Sequence, residues 1–207
     1  MRTTLQDALR QRVPESAELR RVLARSAQAL AEWQRAHGPH GSLAPDAITV
    51  EADGTVRIEA PAGSADGFIA DATAYRSPRQ LAPGAAAQPA HPEDDVYALA
   101  VIAWECLTGV APHDVAFLLP TEALVVLHSA GAAQGVLPPD TSDRAARALR
   151  AAMDLRPGRR PTAQALADAL AERRRPRRAA ETLALALLAG LAISAALAAL
   201  WLLARTW

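Results

Sequence analysis

From Thr182 to Ala204 the chain runs for 23 residues without a charged side chain. As a helix rising 1.5 Å per residue it would extend about 35 Å, against roughly 30 Å of bilayer hydrocarbon. Nine leucines and Ile193, each favourable by about 0.3–0.6 kcal/mol on an insertion scale, sum to roughly −3 to −6 kcal/mol before the near-neutral alanines. Only Thr182 and Ser194 interrupt the apolar surface, where a buried globular helix would keep a polar stripe. The run reads as a transmembrane helix over 182–204. Within it Ala186, Gly190, Ser194 and Ala198 recur every four residues, the spacing of a small-residue packing stripe, with Gly190 and Ser194 its candidate contact positions.

Net charge is zero, yet the charge is divided along the chain. Six of the 22 arginines but only one of the 22 acids, Glu181, lie in residues 173–207, which leaves 16 arginines against 21 acids in residues 1–172. Arg173, Arg174, Arg175, Arg177 and Arg178 stand immediately before the apolar run, and the positive-inside rule makes that side cytoplasmic. Anionic lipid head groups are the natural counter-charge for this flank, which lacks the interleaved aromatics of a nucleic-acid surface. The start of the chain has no apolar signal region. These features predict a cytoplasmic domain (1–172), a basic juxtamembrane segment (173–181), a single inner-membrane span (182–204) and a short tail (205–207).

All 22 cationic side chains are arginine, and the sequence has neither lysine nor asparagine. A lysine Schiff base, a lysine on a phosphate and an asparagine metal ligand are therefore excluded within this chain. The one cysteine, Cys106, cannot form an intramolecular disulfide and reads as a small buried apolar residue.

The first 172 residues read as mainly α-helical with one short β-hairpin. Thr4-Leu5-Gln6-Asp7 has capping-box spacing and predicts a short helix to about Arg12. Over 15–37, Leu19, Val22, Leu23, Ala27, Leu30 and Trp33 share one helical face, while Glu18, Arg21, Arg25 and Arg35 can stay solvated. Ile48-Thr49-Val50 and Val56-Arg57-Ile58 flank Asp53-Gly54, a hairpin signal. Residues 60–93 show little periodicity and are too long for an ordinary connection. Helices follow from Asp94 to Gly109 and near 121–130, 141–153 and 162–172.

The order of these features is specific. A long helix leads to His40-Gly41-Ser42-Leu43-Ala44-Pro45-Asp46-Ala47-Ile48, a hairpin and an irregular stretch. Then come Ser77-Pro78-Arg79, Asp94-Asp95-Val96-Tyr97-Ala98-Leu99, Glu105 to Pro112 and Arg156-Pro157-Gly158-Arg159-Arg160-Pro161. Over roughly residues 3–172 this resembles the C-terminal lobe of a bacterial serine/threonine protein kinase, with no counterpart of the N-terminal lobe.

The resemblance implies a scaffold without its chemistry. The family's catalytic aspartate aligns with Ser42, its catalytic-loop lysine with Ala44, its Mg²⁺-binding asparagine with Ala47, and its second metal-binding aspartate with Ala60. Alanine supplies neither a proton acceptor nor a negative charge for Mg²⁺, so ATP binding, a cofactor and catalysis are not expected. His40, Leu43, Asp95 and Arg160 occupy structural positions of the family, Asp95 being the helix-start aspartate that holds the catalytic-loop backbone. Arg79 replaces the glutamate that pairs with the arginine aligned to Arg160. Two cations about 4 Å apart would repel by about 1 kcal/mol in water-like surroundings, so Arg79 must swing out or meet another acid.

The missing lobe is expected to leave apolar surface around Leu43, Ile48 and the 60–93 stretch, a feature that commonly marks a protein interface. His37, His40 and Asp46 lack a second metal-ligand motif, and Gly63-Ser64-Ala65-Asp66-Gly67 is not a hydrolase elbow. The implied protein is a non-catalytic, membrane-anchored pseudokinase that scaffolds or regulates a membrane-associated protein complex. Two alternatives stay open: half of a split kinase whose N-terminal lobe another chain supplies, and a membrane-complex subunit that assembles through its span.

Overall fold

A computed structural model of the chain describes residues 3–5, 7, 16–61, 73–113, 121–123 and 135–172. All of these lie in the unit Met1–Arg173, which is distinct from a second unit, Arg174–Trp207. In chain order the elements are β1 (Thr3–Thr4), α1 (Ser16–His37), β2 (Ile48–Val50), β3 (Val56–Ile58), α2 (Pro78–Leu81), α3 (Pro92–Thr108), α4 (Asp143–Ala152) and α5 (Ala163–Ala171).

The three-to-four-residue recurrence of apolar side chains in α1 becomes a buried stripe of Leu19, Leu23, Ala27 and Leu30, with Val22 and Trp33 packed at its margin. Glu18, Arg21, Arg25 and Arg35 are exposed. Helix α3 has no such sidedness: every residue from Asp94 to Trp104 is buried, and so is Leu107. A helix apolar on all sides has to be enclosed, and α3 sits between α1 and α4 while α5 packs along both of those helices. Gly109 ends α3 at φ 72°, the left-handed conformation that a glycine adopts without strain. Ser142 and Thr162 cap α4 and α5 by accepting the backbone N–H of Ala145 and Ala165. Cys106 lies half-buried at the core margin, and burial pushes its thiol up to about 12, an unreactive state.

Three expectations are corrected. The expected fold class, a helical unit with a hairpin and a transmembrane helix, is cut back: among the described residues no helix is long and apolar enough to cross a membrane. The run 182–204, the flank Arg173, Arg174, Arg175, Arg177 and Arg178, and the positions Gly190 and Ser194 lie outside the described residues. The second correction concerns the sheet, which has three antiparallel strands in the order β1-β2-β3, with Thr3 opposite Val50 and Thr4 opposite Thr49. Thr4 serves two roles here, since its Oγ1 also accepts the Asp7 N–H at 3.0 Å as the capping-box spacing predicted. Gln6 and residues 8–12, the rest of that predicted helix, lie outside the described residues.

The third correction removes the expected apolar cleft. Leu43 and Ile48 are 2% and 0% exposed and belong to the main core cluster, together with residues of α1 and α3. Among the described residues the large hydrophobic side chains left exposed are Val110 and Val136. The 60–93 stretch is ordered where described: residues 73–93 hold α2 and a 3₁₀ turn at Ala85–Ala87.

Truncation of Leu30, fully buried between α1 and its neighbours, is expected to lower unfolding free energy by about 2–5 kcal/mol in urea denaturation. Val136→Ala, at an 88% exposed site, should change it by no more than about 0.5 kcal/mol.

Candidate functional site

Two adjacent carboxylates at the start of α3 organise the loop that follows α1. Asp95 Oδ2 accepts the backbone N–H of His40 at 2.8 Å and its Oδ1 accepts that of Gly41 at 2.7 Å. The Gln34 side-chain amide, one turn before the end of α1, donates to the same Oδ2 at 3.0 Å. One buried side chain therefore ties α1, the loop and α3 together. Burial raises the Asp95 carboxyl above its ordinary value, against the pull of the hydrogen bonds from Gly41, Gln34 and His40.

The loop conformation depends on a glycine. Gly41 has φ 81°, and a Cβ there would stand 2.9 Å from the Ala90 Cβ, so both strain and space exclude a larger residue. Gln80 in α2 donates its side-chain N–H to the Gly41 carbonyl at 2.7 Å, which holds the loop from the opposite side. His40 is buried, with Nε2 2.9 Å from the Glu59 carbonyl and Nδ1 accepting the Ser42 N–H at 3.3 Å. This pattern assigns the neutral tautomer with its proton on Nε2.

Asp94, the other carboxylate, lies between two arginines. Its Oδ2 accepts from Nε of Arg79 at 2.9 Å and from Nη2 of the same guanidinium. Its Oδ1 accepts the Ser77 hydroxyl at 2.6 Å and faces Arg160 Nη1 at 3.4 Å. Arg79 thus meets an acid, and the repulsion that its approach to Arg160 would create is neutralised by the group between them. Burial by itself would raise the Asp94 carboxyl, but Arg79, Ser77 and Arg160 outweigh it and hold the group below the usual carboxylate range.

Arg160 is anchored further by carbonyls. It donates to Asp154 at 2.9 Å and Glu93 at 3.0 Å, and its guanidinium lies 4.8 Å over the Tyr97 ring. Ser77 also opens α2 through a capping box with Gln80, so the residues that hold Asp94 and the loop share one turn of helix.

The positions that the resemblance set against catalytic residues lie as follows. Ser42 is half-buried, Ala44 is 4% exposed before the 3₁₀ turn Pro45–Ala47, and the Ala47 carbonyl accepts the Glu59 N–H at 2.8 Å. Ala60 is exposed just after β3. His37 and Asp46 are also exposed, His37 stacking on Trp33 at 4.3 Å. The structure brings His40, Asp95, Arg79 and Arg160 together around the start of α3, Leu43 lies in the main core, and Ser64 lies outside the described residues.

Sequence reasoning passed over Asp94, Ser77, Gln80 and Gln34. The doublet Asp94-Asp95 reads as helix N-terminal charge, and the signal available for Asp94 was the unbalanced pair Arg79 and Arg160, which needs an anion. The chain matches no protein-family profile, and no curated protein matches it at a significant level.

Asp94→Asn is expected to cost about 3–5 kcal/mol at neutral pH, because it leaves the buried Arg160 without its counter-charge. The Asp94 carboxyl is held below its ordinary 3.8, so its contribution is full above that value and is lost as pH falls towards its folded value. The stability gap between wild type and Asp94→Asn, read by urea denaturation, should narrow below about pH 4. Asp95 carries the opposite sign, since its raised carboxyl stabilises the fold below 3.8 and loses that contribution as pH rises.

Proposed function

We propose that the described domain is a non-catalytic relative of a protein-kinase C-terminal lobe and works by binding a protein partner, as a scaffold or regulatory subunit, rather than by phosphoryl transfer. One observation carries this reading. The loop His40–Ala47 is fixed by Asp95 through two backbone hydrogen bonds, yet the positions that would act on a substrate hold Ser42, Ala44 and Ala47. A loop so firmly positioned, with small neutral side chains where charge would develop, supports a retained framework and not a reaction.

The Arg79–Asp94–Arg160 arrangement supports the same reading, because it ties α2 and the Arg160 turn to α3 by a different charge pattern from the family's glutamate–arginine pair. A split kinase completed by another chain is disfavoured, since the substituted positions lie in this chain. The proposed binding role rests on the described residues and does not require a membrane span.

A thermal-shift titration with ATP, with and without Mg²⁺, is expected to leave the unfolding temperature unchanged. A ligand present at 100 times its dissociation constant would stabilise by about 2.7 kcal/mol, a shift that the assay would resolve. A clear Mg²⁺-dependent rise would contradict the non-catalytic reading.

A further inference from the structure

Residues 76–91 run as a strap beside the loop that Asp95 holds, with Gln80 bonded to the Gly41 carbonyl and Ala90 close against the Gly41 α-carbon. Both ends of the strap are fixed on α3. Tyr75, just before it, donates its hydroxyl to Glu105 Oε2 at 2.8 Å, and Pro92, just after it, opens the helix. Between these anchors Ser77, Pro78 and Leu81 are buried, while residues 83–91 are mostly exposed. Leu81, 1% exposed, packs outside the main core, in a small cluster with Ala123 and the partly buried Leu155.

The hydrogen bonds that tie the strap to α3 and to the loop come from three side chains. Ser77 Oγ donates to Asp94 at 2.6 Å, Arg79 bonds the same carboxylate, and Gln80 donates to the Gly41 carbonyl at 2.7 Å. Arg79 also folds the strap upon itself, its Nη1 donating to Gln88 Oε1 at 3.2 Å and its Nη2 to the Pro89 carbonyl at 3.1 Å. Its side chain is 22% exposed, so water reaches the ion pair that closes the strap. A segment with little apolar burial and solvent-accessible hydrogen bonds opens at lower free energy than the core, and one laced together by its own side chain opens as a unit.

We propose that residues 76–91 form a latch that opens as one cooperative unit while the main core and the Asp95-held loop stay folded, with Arg79 as its catch. Opening withdraws Ser77 and Arg79 from Asp94 and Gln80 from Gly41. It uncovers a carboxylate still paired to Arg160 and a loop carbonyl without its donor. Asp95 keeps the His40 and Gly41 N–H groups in both states, because its hydrogen-bond partners Gln34, His40 and Gly41 all lie outside the strap. The separate packing of Leu81 lets the strap leave without breaking into the main core. This device is independent of the binding role proposed above.

The test is native-state hydrogen exchange of the full chain, ¹⁵N-labelled, over a series of low urea concentrations at which reclosing outpaces exchange. The amides of Gln80, Leu81, Ala85 and Gln88, each bonded within the strap, are expected to share one opening reaction. It should show a shallower urea dependence and about tenfold or more less protection than Leu99 and Ile102 of α3 or His40 and Gly41 of the loop. Leu30→Val, in the main core, should lower protection at Leu99 and Ile102 several-fold and leave the four strap amides unchanged, since the core stays folded when the strap opens. Arg79→Gln should lower the four strap amides by about tenfold or more while the α3 resonances keep their native positions. The latch is overturned by strap amides that match the free energy and urea slope of Leu99 and Ile102, or that fall with them in Leu30→Val. It is equally overturned if the four amides are unprotected in the native chain, if His40 and Gly41 exchange together with them, or if Arg79→Gln leaves them unchanged.

Discussion

The first turn of α3 places two buried carboxylates side by side, and the rest of the domain is arranged around them. Asp95 turns towards the loop after α1 and holds the His40 and Gly41 N–H groups, while Asp94 turns towards α2 and the Arg160 turn. Buried carboxylates are tolerated only when their oxygens are occupied, and here all four oxygens accept hydrogen bonds. The apolar length of α3 below this turn fills the core, so the polar cluster and the hydrophobic packing share one element.

The two carboxylates respond to burial differently because of what faces them. Asp94 meets two guanidinium groups and a hydroxyl, which outweigh desolvation; Asp95 meets backbone and amide N–H groups and the His40 ring, which do not. The Asp94 cluster thus joins α3 to segments distant in sequence through charge. Asp95 positions a loop through neutral donors. Loss of either side chain would leave partners buried without acceptors, which links the shape of the His40–Ala47 loop directly to the stability of the fold.

Much of the helical framework was legible in the sequence because its signals are local. The stripe from Leu19 to Leu30, the Asp53-Gly54 turn and the stop at Gly109 each follow from spacing or from one residue's conformational freedom. Partnerships between distant residues were less legible. Nothing near Thr3 announces that Val50 lies opposite it, and the capping pattern at Thr4 pointed to helix alone. The burial of Leu43 and Ile48 was missed for the same reason, since the resemblance suggested an open cleft, whereas both residues belong to the main core with residues of α1 and α3. Asp95 was placed by resemblance, and Asp94 by neither pattern nor resemblance, although the excess of cations at Arg79 and Arg160 called for an anion.

The account depends on Asp95 fixing the His40–Ala47 loop, and amide hydrogen exchange reads that contact directly. In the native chain the His40 and Gly41 amides should exchange far more slowly than exposed loop amides such as that of Ala52, with protection approaching that of core amides in α3. Asp95→Ala should abolish that protection at the two amides even where the α1 amides of Leu23 and Ala27 remain protected. Rapid exchange at His40 and Gly41 in the native chain, or protection that survives Asp95→Ala, would contradict it.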